Sequence, residues 1–261
     1  MAGNRTALDA GGIVWQREGN GPPVVLLHCL GVDHNLWRIA ASGLERDFTL
    51  WSYDLPGHGE SKVPGGAYTI EDLSAQLLAL MDRVKLAHAT IAGISLGGLI
   101  AQCFAADHPA RVAKLVLIDT TPRYTEELRR MWGVRAQQAR EHGVASLTPG
   151  LLDIWFTKDF AAKDPPAVRY VREAFARCPG EGYALACEAL ATADLRERAA
   201  RIAAPTLVLC GEQDIPSFQD SARWLAANIK DARLGWLSSA RHASILEQPD
   251  SFRKALGEFL A

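Results

Sequence analysis

The sequence contains no apolar run that approaches the roughly 20 residues needed to cross a bilayer. Its first segment, Met1 to Gly12, also lacks the apolar stretch of a secretory signal peptide. The chain has almost no excess charge, because 28 Lys and Arg residues are balanced by 30 Asp and Glu residues scattered along it. We therefore expect a cytoplasmic protein whose partner is a small molecule, and neither a nucleic acid nor a membrane. No feature of the sequence indicates an oligomeric state.

Cysteine is sparse, and its spacing matches no functional pattern. The count is odd, the residues are far apart, and they form neither a CxxC pair nor a Cys/His set suited to zinc: Cys29, Cys103, Cys178, Cys187 and Cys210. This spacing argues against a disulfide framework and against a zinc site. We expect reduced thiols in apolar surroundings.

Short apolar runs alternate with helical patterns along most of the chain. Residues 70–84 carry apolar side chains at i, i+3 and i+4 spacing, which predicts an amphipathic helix. The runs are rich in β-branched and apolar residues, as buried parallel strands are: Val24–Leu27, Phe48–Tyr53, Thr90–Ala92, Leu115–Ile118 and Thr206–Leu209. The alternation predicts an α/β fold with a mostly parallel central sheet and helices on both faces.

The alternation is interrupted once. From Thr121 to Ala200 the sequence shows helical patterns, such as Thr125–His142, and no convincing strand. The strand and helix pattern resumes after Pro205 and continues to the end of the sequence. We therefore predict a core made of residues 1–120 and 201–261, with an all-helical insertion at residues 121–200, because the strands on either side belong to one sheet.

The segment Gly93–Gly97, G-I-S-L-G, has the form G-x-S-x-G where an apolar run meets a helical pattern. Small residues two positions before and after Ser95 allow a strand and a helix to meet in a tight turn. The serine hydroxyl would then lie at a helix amino terminus, which stabilises developing negative charge. Ser95 could instead be a simple helix cap, but the apolar strand before it and the small-residue helix face after it favour a nucleophile.

A serine nucleophile needs an imidazole base and a carboxylate that orients the base. His242 follows the predicted strand Ala232–Leu237 by a short loop, and Asp214 follows the strand that ends at Leu209. Asp119, after the strand that ends at Ile118, is the alternative acid. The remaining histidines considered are predicted to lie at the surface or to cap helices: His34, His88, His108 and His142.

The chain order Ser95, Asp214, His242 is that of an α/β-hydrolase triad, and the chain resembles this family over nearly its full length. Residues 28–31, H-C-L-G, are similar to the family's loop after its third strand, and residues 54–61, D-L-P-G-H-G-E-S, to its D-x-x-G-H-G-x-S turn. The resemblance implies an oxyanion hole formed by the amides of Leu30 and Leu96, with the helical insertion as a lid. His58 is expected to brace the turn.

Within the family the chain most resembles the 3-oxoadipate enol-lactonases, enzymes of aromatic degradation. Residues 30–33, L-G-V-D, with Trp37 after them, are similar to the L-G-T-D and trailing Trp of those enzymes. Three segments of the predicted lid resemble their W-x-x-R, W-F-T and E-G-Y-A-x-x-C: Trp132–Arg135, Trp155–Thr157 and Glu181–Cys187. The lid matches matter most, because the core motifs are shared by esterases, lipases and haloperoxidases, whereas lids diverge with substrate.

The resemblance implies a serine hydrolase that cleaves a carboxylic ester or lactone through an acyl-enzyme, with no metal or organic cofactor. Trp132 and Arg135 are three residues apart and share one helix face, so they are the candidate substrate-binding residues. Arg135 would bind a substrate carboxylate. Three alternatives stay open: a general carboxylesterase, a cofactor-free haloperoxidase or perhydrolase, and a non-catalytic small-molecule receptor on the same fold.

Overall fold

The computed structural model describes residues 12–261 and the backbone of residues 5–8. The prediction about a signal peptide concerns Met1–Gly12, most of which lies outside the described residues. Within the described part, no helix combines the length and the apolar character needed to span a membrane.

One sheet of eight strands, in the order β1-β2-β4-β3-β5-β6-β7-β8, organises the described chain. The strands are β1 Arg5–Leu8, β2 Val14–Glu18, β3 Pro23–Leu27, β4 Thr49–Tyr53, β5 Ala89–Ile94, β6 Val112–Ile118, β7 Thr206–Gly211 and β8 Ala232–Leu237. The strands from β3 to β8 pair in parallel, and β2 pairs antiparallel with both β1 and β4. The predicted mostly parallel sheet is therefore confirmed, and the β1–β2 pair is an addition that the sequence analysis missed.

Helices connect most of these strands. They are α1 Leu36–Ala40, α2 Ile70–Arg83, α3 Leu96–Asp107, α4 Glu126–His142, α5 Thr148–Trp155, α6 Lys158–Ala162, α7 Pro166–Arg177, α8 Gly180–Thr192, α9 Arg196–Ala199, α10 Pro216–Asn228, α11 Ser244–Glu247 and α12 Pro249–Leu260. Short 3₁₀ helices lie at Leu44–Arg46, Pro109–Arg111 and Val144–Leu147. The predicted helix at residues 70–84 matches α2, which starts at a capping box between Thr69 and Asp72.

The central strands are buried on both faces. Every residue of β5 and of β7 is buried, which requires helices on either side of the sheet because alternate side chains point to opposite faces. Helix α3 packs against β3, β5 and β6, and α12 packs against α1 and β8. The layered α/β architecture predicted from the alternation is present.

Between β6 and β7 the described chain forms the six helices α4 to α9, so the predicted helical insertion is confirmed. Its two ends are tied together by an antiparallel bridge between Arg123 and Asp194 and by a 2.8 Å hydrogen bond from the Leu195 amide to the Pro122 carbonyl. Helices α4 and α8 pack along each other. The chain therefore enters and leaves the insertion at two segments that lie side by side.

The insertion rests on the core through two glycines whose backbones touch. A Cβ added to Gly182 in α8 would lie 2.1 Å from the carbonyl oxygen of Gly57, which has φ of 73°. A side chain at either position would separate the two backbones. This contact gives a packing reason for the glycine of the E-G-Y segment and for the first glycine of the D-x-x-G-H-G turn.

Candidate active site

The turn between β5 and α3 is as tight as the G-x-S-x-G segment predicts. Ser95 has φ of 52° and ψ of −113°, a strained conformation for a residue with a Cβ. A Cβ on Gly93 would lie 2.2 Å from the Gly97 carbonyl oxygen, and a Cβ on Gly97 would lie 2.2 Å from the Leu27 carbonyl oxygen. The Ser95 side chain makes no capping hydrogen bond to α3, so the simple helix-cap alternative is not what the structure contains.

Ser95, His242 and Asp214 form a chain of hydrogen bonds. The Ser95 hydroxyl lies 3.1 Å from Nε2 of His242, and Nδ1 of His242 lies 2.8 Å from Oδ2 of Asp214. The other oxygen of Asp214 accepts a 2.7 Å hydrogen bond from the Ile215 amide. With the ring proton on Nδ1, Nε2 is free to accept the proton of the serine hydroxyl.

Parallel strands bring these three residues together. Ser95 follows β5, Asp214 follows β7 and His242 follows β8, so all three lie at the carboxyl edge of one sheet. All three are buried. The His242 ring packs against Phe218, with ring centroids 4.3 Å apart, and this contact limits its rotation.

Asp119, the alternative acid, lies near Asp214 but forms its hydrogen bonds with groups other than His242. Its oxygens accept hydrogen bonds from the Gly211 amide at 2.9 Å and from the Ser244 hydroxyl at 2.5 Å. Burial and the charge of Asp214 raise the pKa of Asp119 to about 7. Asp119 therefore supports the segments that carry Asp214 and His242, and it does not contact the imidazole through a hydrogen bond.

One group of side chains in the described part could hold a metal ion. It consists of Asp119, Cys210 and Asp214, whose ligand atoms lie within 4.8 Å of one another, all buried. Both carboxylates already accept hydrogen bonds from the protein, and burial raises the pKa of the Cys210 thiol, which disfavours the thiolate that a metal needs. The group is better suited to organising the triad than to binding a cation.

The electrostatic surroundings of His242 favour its role as a base. Burial alone would favour the neutral ring, but the charge and hydrogen bond of Asp214, with the charge of Asp119, outweigh burial and raise the pKa of His242. A carboxylate that stabilises the imidazolium also strengthens the base that takes the serine proton.

We expect kcat/KM for a neutral ester to rise with pH, with a midpoint above about 6.5, the ordinary pKa of histidine. Activity rises with pH because protonated His242 cannot accept the serine proton. The midpoint is shifted upward because the raised pKa of His242 keeps the ring protonated to higher pH. A pH profile with p-nitrophenyl acetate, whose charge is constant over this range, measures the midpoint. A midpoint below that of ordinary histidine would contradict this account of the site.

Contacts between the insertion and the core hold the loop that carries His242, and the sequence analysis did not identify one of the residues that form them, Glu247. The buried carboxylate of Glu247 accepts hydrogen bonds from the Arg241 amide at 2.7 Å and from the Thr157 hydroxyl at 2.6 Å. The Ala243 amide donates to the Trp155 carbonyl at 2.9 Å. The W-F-T resemblance was the available signal for Thr157, whereas nothing in the sequence marks Glu247.

The insertion also contacts the loop that carries Leu30. The hydroxyl of Tyr170 in α7 donates to a carboxylate oxygen of Asp33 at 2.8 Å, and the Asp33 amide lies 3.3 Å from the same hydroxyl. Leu30 lines the cavity over Ser95. Leu96 is the first residue of α3, where a backbone amide has no acceptor within the helix.

Two histidines brace the loops around the site. Nε2 of His28 accepts a 2.9 Å hydrogen bond from the Leu55 amide, and burial lowers the pKa of His28. Burial lowers the pKa of His58 to about 3, and its ring lies 5.5 Å from that of His28. Both rings are therefore neutral supports, and His58 matches the expected brace. Burial also raises the pKa of the Cys29 thiol, so Cys29 is not a reactive nucleophile.

The prediction that His34 lies at the surface or caps a helix is wrong. His34 is buried, and both its amide and its ring Nδ1 lie within hydrogen-bond distance of Asp54 Oδ1, at 2.8 and 2.7 Å. These contacts hold the loop that carries His34 against the first residue of the D-x-x-G-H-G turn, and they depend on tertiary packing. His88 and His142 are exposed, and His108 is half-buried, as expected for surface or capping positions. All five cysteines are buried and free.

A mostly apolar cavity lies over the serine. It is lined by side chains of the insertion and of the core: Leu30, Ser95, Tyr124, Leu128, Met131, Trp132, Arg135, Leu151, Ile154, Trp155, Phe175, Tyr183, Ile215, Phe218 and His242. Arg135 is half-buried, and its guanidinium lies 5.0 Å from the centre of the Trp132 ring. It forms no ion pair with any carboxylate of the part of the chain that the structure describes.

A serine on a strained elbow, bonded to a buried imidazole that is bonded to a carboxylate, is the arrangement of a serine hydrolase. The comparisons with known proteins agree. Residues 22–143 match the family model described as the alpha/beta hydrolase fold. The chain belongs to the α/β-hydrolase family.

Relatives within the family include esterases and lactonases. A 3-oxoadipate enol-lactonase of Acinetobacter baylyi is 33% identical over 92% of this chain and 88% of its own length. A pimeloyl-[acyl-carrier protein] methyl ester esterase of Chromobacterium violaceum is 33% identical over 93% of this chain and 95% of its own. The crystal structure of the enol-lactonase from Burkholderia xenovorans superposes with a TM-score of 0.92 at 36% identity, covering 98% and 99% of the two chains. The protein is a carboxylic ester hydrolase of the esterase and enol-lactonase group with a Ser-His-Asp triad.

Proposed function

We propose that the enzyme hydrolyses a small ester or lactone that carries a carboxylate, with 3-oxoadipate enol-lactone as the leading candidate. The observation that carries the proposal is Arg135, a guanidinium in the cavity that contains Ser95, without a carboxylate partner among the described residues. The similarity to enol-lactonases supports the same substrate. Arg140 on the same helix contrasts with it, since Arg140 is paired with Glu181 and Glu188.

In the proposed mechanism Ser95 attacks the carbonyl carbon while His242 accepts its proton. The Leu30 and Leu96 amides bind the oxygen that becomes negatively charged in the tetrahedral intermediate. His242 then gives its proton to the leaving oxygen, which in a lactone stays attached to the acyl group. A water molecule, deprotonated by His242, attacks the acyl-enzyme and releases the acid.

We propose that residues 121–200 act as a lid over this chemistry. Side chains of α4, α5, α7 and α8 line the cavity, and Tyr170 and Thr157 bond to the core next to the Leu30 and His242 loops. The lid therefore has two tasks, to exclude water from the acyl transfer and to shape the pocket for the substrate.

The position of Arg135 suits recognition of an anion. Its guanidinium lies over the face of Trp132, which supports the planar group, and none of the ion pairs among the described residues occupies it. A guanidinium in an apolar cavity binds a carboxylate through paired hydrogen bonds, each worth about 1.5–3 kcal/mol when one partner is charged. Lysine, a point charge, reproduces this geometry poorly.

Arg135→Lys and Arg135→Ala are expected to lower kcat/KM for an acidic lactone by about tenfold to a thousandfold, the loss of a charged hydrogen bond with its desolvation penalty. Hydrolysis of p-nitrophenyl acetate should be almost unchanged, because this ester has no carboxylate. Steady-state kinetics with the two substrates measures the difference.

Arg130→Ala is the matched control, since Arg130 lies on the same helix, is exposed and does not line the cavity. It should leave both activities unchanged. If Arg135 variants lose both activities to the same extent, Arg135 supports the lid and the enzyme is better described as a general carboxylesterase.

A further inference from the structure

The end of β6 and the residues after it hold the backbone of Ser95 at both its amide and its carbonyl. The Ser95 amide donates a 2.9 Å hydrogen bond to the carbonyl oxygen of Ile118, which continues the parallel pairing of β5 with β6. The hydroxyl of Thr120, a buried residue, donates a 2.8 Å hydrogen bond to the carbonyl oxygen of Ser95. One short segment therefore fixes both polar backbone groups of a residue in a strained conformation.

Gly98 makes room for the contact between Thr120 and Ser95. A Cβ added to Gly98 would lie 2.5 Å from Cβ of Thr120 and 2.6 Å from its hydroxyl oxygen, both well inside van der Waals contact. A side chain at position 98 would force α3 or Thr120 to move, and the hydrogen bond to the Ser95 carbonyl would be lost. This contact gives a reason for the second glycine of the Gly97–Gly98 pair, which lies outside the G-x-S-x-G pattern.

The Ser95 carbonyl and the Leu96 amide belong to the same peptide group. A trans peptide is planar and its N–H points away from its C=O, so fixing the direction of the carbonyl also fixes the direction of the amide. The Leu99 amide donates to the same carbonyl oxygen at 3.1 Å, and the Thr120 hydroxyl is a second donor to it. Because hydrogen bonds are directional, two donors restrict the rotation of the peptide plane more than one does.

The hydrogen bond from Thr120 also strengthens the Leu96 amide as a donor. A donor on the carbonyl oxygen polarises the peptide, and this polarisation makes the N–H of the same peptide a better donor. Leu96 is the first residue of α3, so its amide lies at the positive end of the helix dipole. The Thr120 contact thus affects both the direction and the strength of this donor.

We propose that Thr120 is a positioning residue that orients the Leu96 amide toward the oxyanion through its hydrogen bond to the Ser95 carbonyl. This inference rests on the oxyanion hole of the proposed mechanism, and it does not depend on whether the substrate carries a carboxylate. Acylation and deacylation both pass through a tetrahedral oxyanion, so a misaligned amide should slow both steps together. The expected consequence is a lower kcat with an almost unchanged KM.

Thr120→Val and Thr120→Ala remove the hydroxyl, and each is expected to lower kcat for p-nitrophenyl acetate about tenfold to a hundredfold, because an oxyanion donor is misaligned but still present. Thr120→Ser keeps the hydroxyl and should restore most of the activity. The pH midpoint of kcat/KM should match that of the wild type in all three variants, since the Thr120 hydroxyl bonds to Ser95 and not to His242.

A transition-state analogue tests the oxyanion hole directly. Oγ of Ser95 adds to the carbonyl carbon of an alkyl trifluoromethyl ketone while its proton passes to His242, and the ketone oxygen becomes a tetrahedral oxyanion. If Thr120 orients the Leu96 amide, the inhibition constant of this ketone should rise in Thr120→Val and Thr120→Ala by the same factor as kcat/KM falls.

Thr206→Val is the matched control. The Thr206 hydroxyl is also buried and also donates to a backbone carbonyl, that of Ala204, at 2.8 Å, but it lies at the amino end of β7, opposite to the site. This variant should keep wild-type kcat and inhibition, and thermal unfolding of all variants monitors the fold.

Three results would overturn the inference: wild-type kcat in the Thr120 variants without a hydroxyl, a loss of activity without a parallel loss of affinity for the ketone, or a Thr120→Ser variant as impaired as Thr120→Ala. Failure of the proposed substrate is a separate result. Rejection of acidic lactones would contradict that proposal alone, because the ester and the ketone used to test Thr120 are both neutral.

Discussion

Ser95→Ala and His242→Ala are each expected to lower kcat for p-nitrophenyl acetate by on the order of 10⁴- to 10⁶-fold, and the double variant should be little worse than either. The nucleophile without its base keeps a tightly bound proton, and the base without its nucleophile has no proton to accept. Because the two residues act as one unit, replacing the second one removes little further activity once the first has been replaced. The burst of p-nitrophenol and the subsequent steady turnover measure the loss.

Two neutral substitutions serve as controls for these large effects. Ser146→Ala and His88→Ala remove the same kinds of side chain from exposed positions and should retain wild-type turnover. Circular dichroism and thermal unfolding establish that the inactive variants fold. Losses that multiply in the double variant would mean that Ser95 and His242 act independently, contrary to the 3.1 Å contact between them.

Asp214→Asn is expected to lower kcat by about 10⁴-fold, whereas Asp119→Asn should lower it by less than about tenfold. Asp214 accepts the hydrogen bond from Nδ1 of His242, and an amide there permits the tautomer that turns a proton toward Ser95. Asp119 instead accepts from Gly211 and Ser244, and asparagine retains an oxygen acceptor.

The two aspartate variants should also differ in the pH dependence of kcat/KM. Asp119→Asn removes one of the charges that raise the pKa of His242, so the acidic limb of kcat/KM should move slightly to lower pH while kcat persists. If Asp119→Asn were the severe substitution and Asp214→Asn the mild one, the acid of the triad would be Asp119. Full pH profiles of both variants and the wild type distinguish the two assignments.

Most of the sheet was predictable because its central strands are buried on both faces. Such strands read as short apolar runs that end in turn residues, and the structure contains a strand at each predicted position from β3 to β8. Strand β2 was missed for the complementary reason. Its residues Val14–Glu18 include Gln, Arg and Glu, because part of this strand remains accessible to solvent near the sheet edge.

The histidines show a second limit. His34 lies in a polar segment, and its burial against Asp54 comes from a contact between residues 20 positions apart. Glu247 likewise gains its importance from Thr157, 90 positions away. Neither partnership leaves a periodic or spaced pattern in the sequence, because only regular helices and strands impose periodicity on nearby residues.

The sequence by itself determined the α/β architecture, the helical insertion and the nucleophile, because each depends on local chemistry. Buried strands need apolar residues, insertions interrupt the alternation, and a tight strand-to-helix turn needs small residues around Ser95. It also limited the candidates for the base and the acid to His242, Asp214 and Asp119, which follow predicted strands. Local signals suffice for these features, since they act between residues close in the chain.

Only the tertiary structure decided which carboxylate faces His242 and which side chains of the insertion line the cavity over Ser95. Asp119 and Asp214 both follow buried strands, and the hydrogen bonds of their oxygens distinguish them. Trp132 and Arg135 line the same cavity as Ser95 only because the insertion packs against the core. The physical reason is that hydrogen bonds are short and directional, so their partners depend on how distant segments pack, to within a fraction of an ångström.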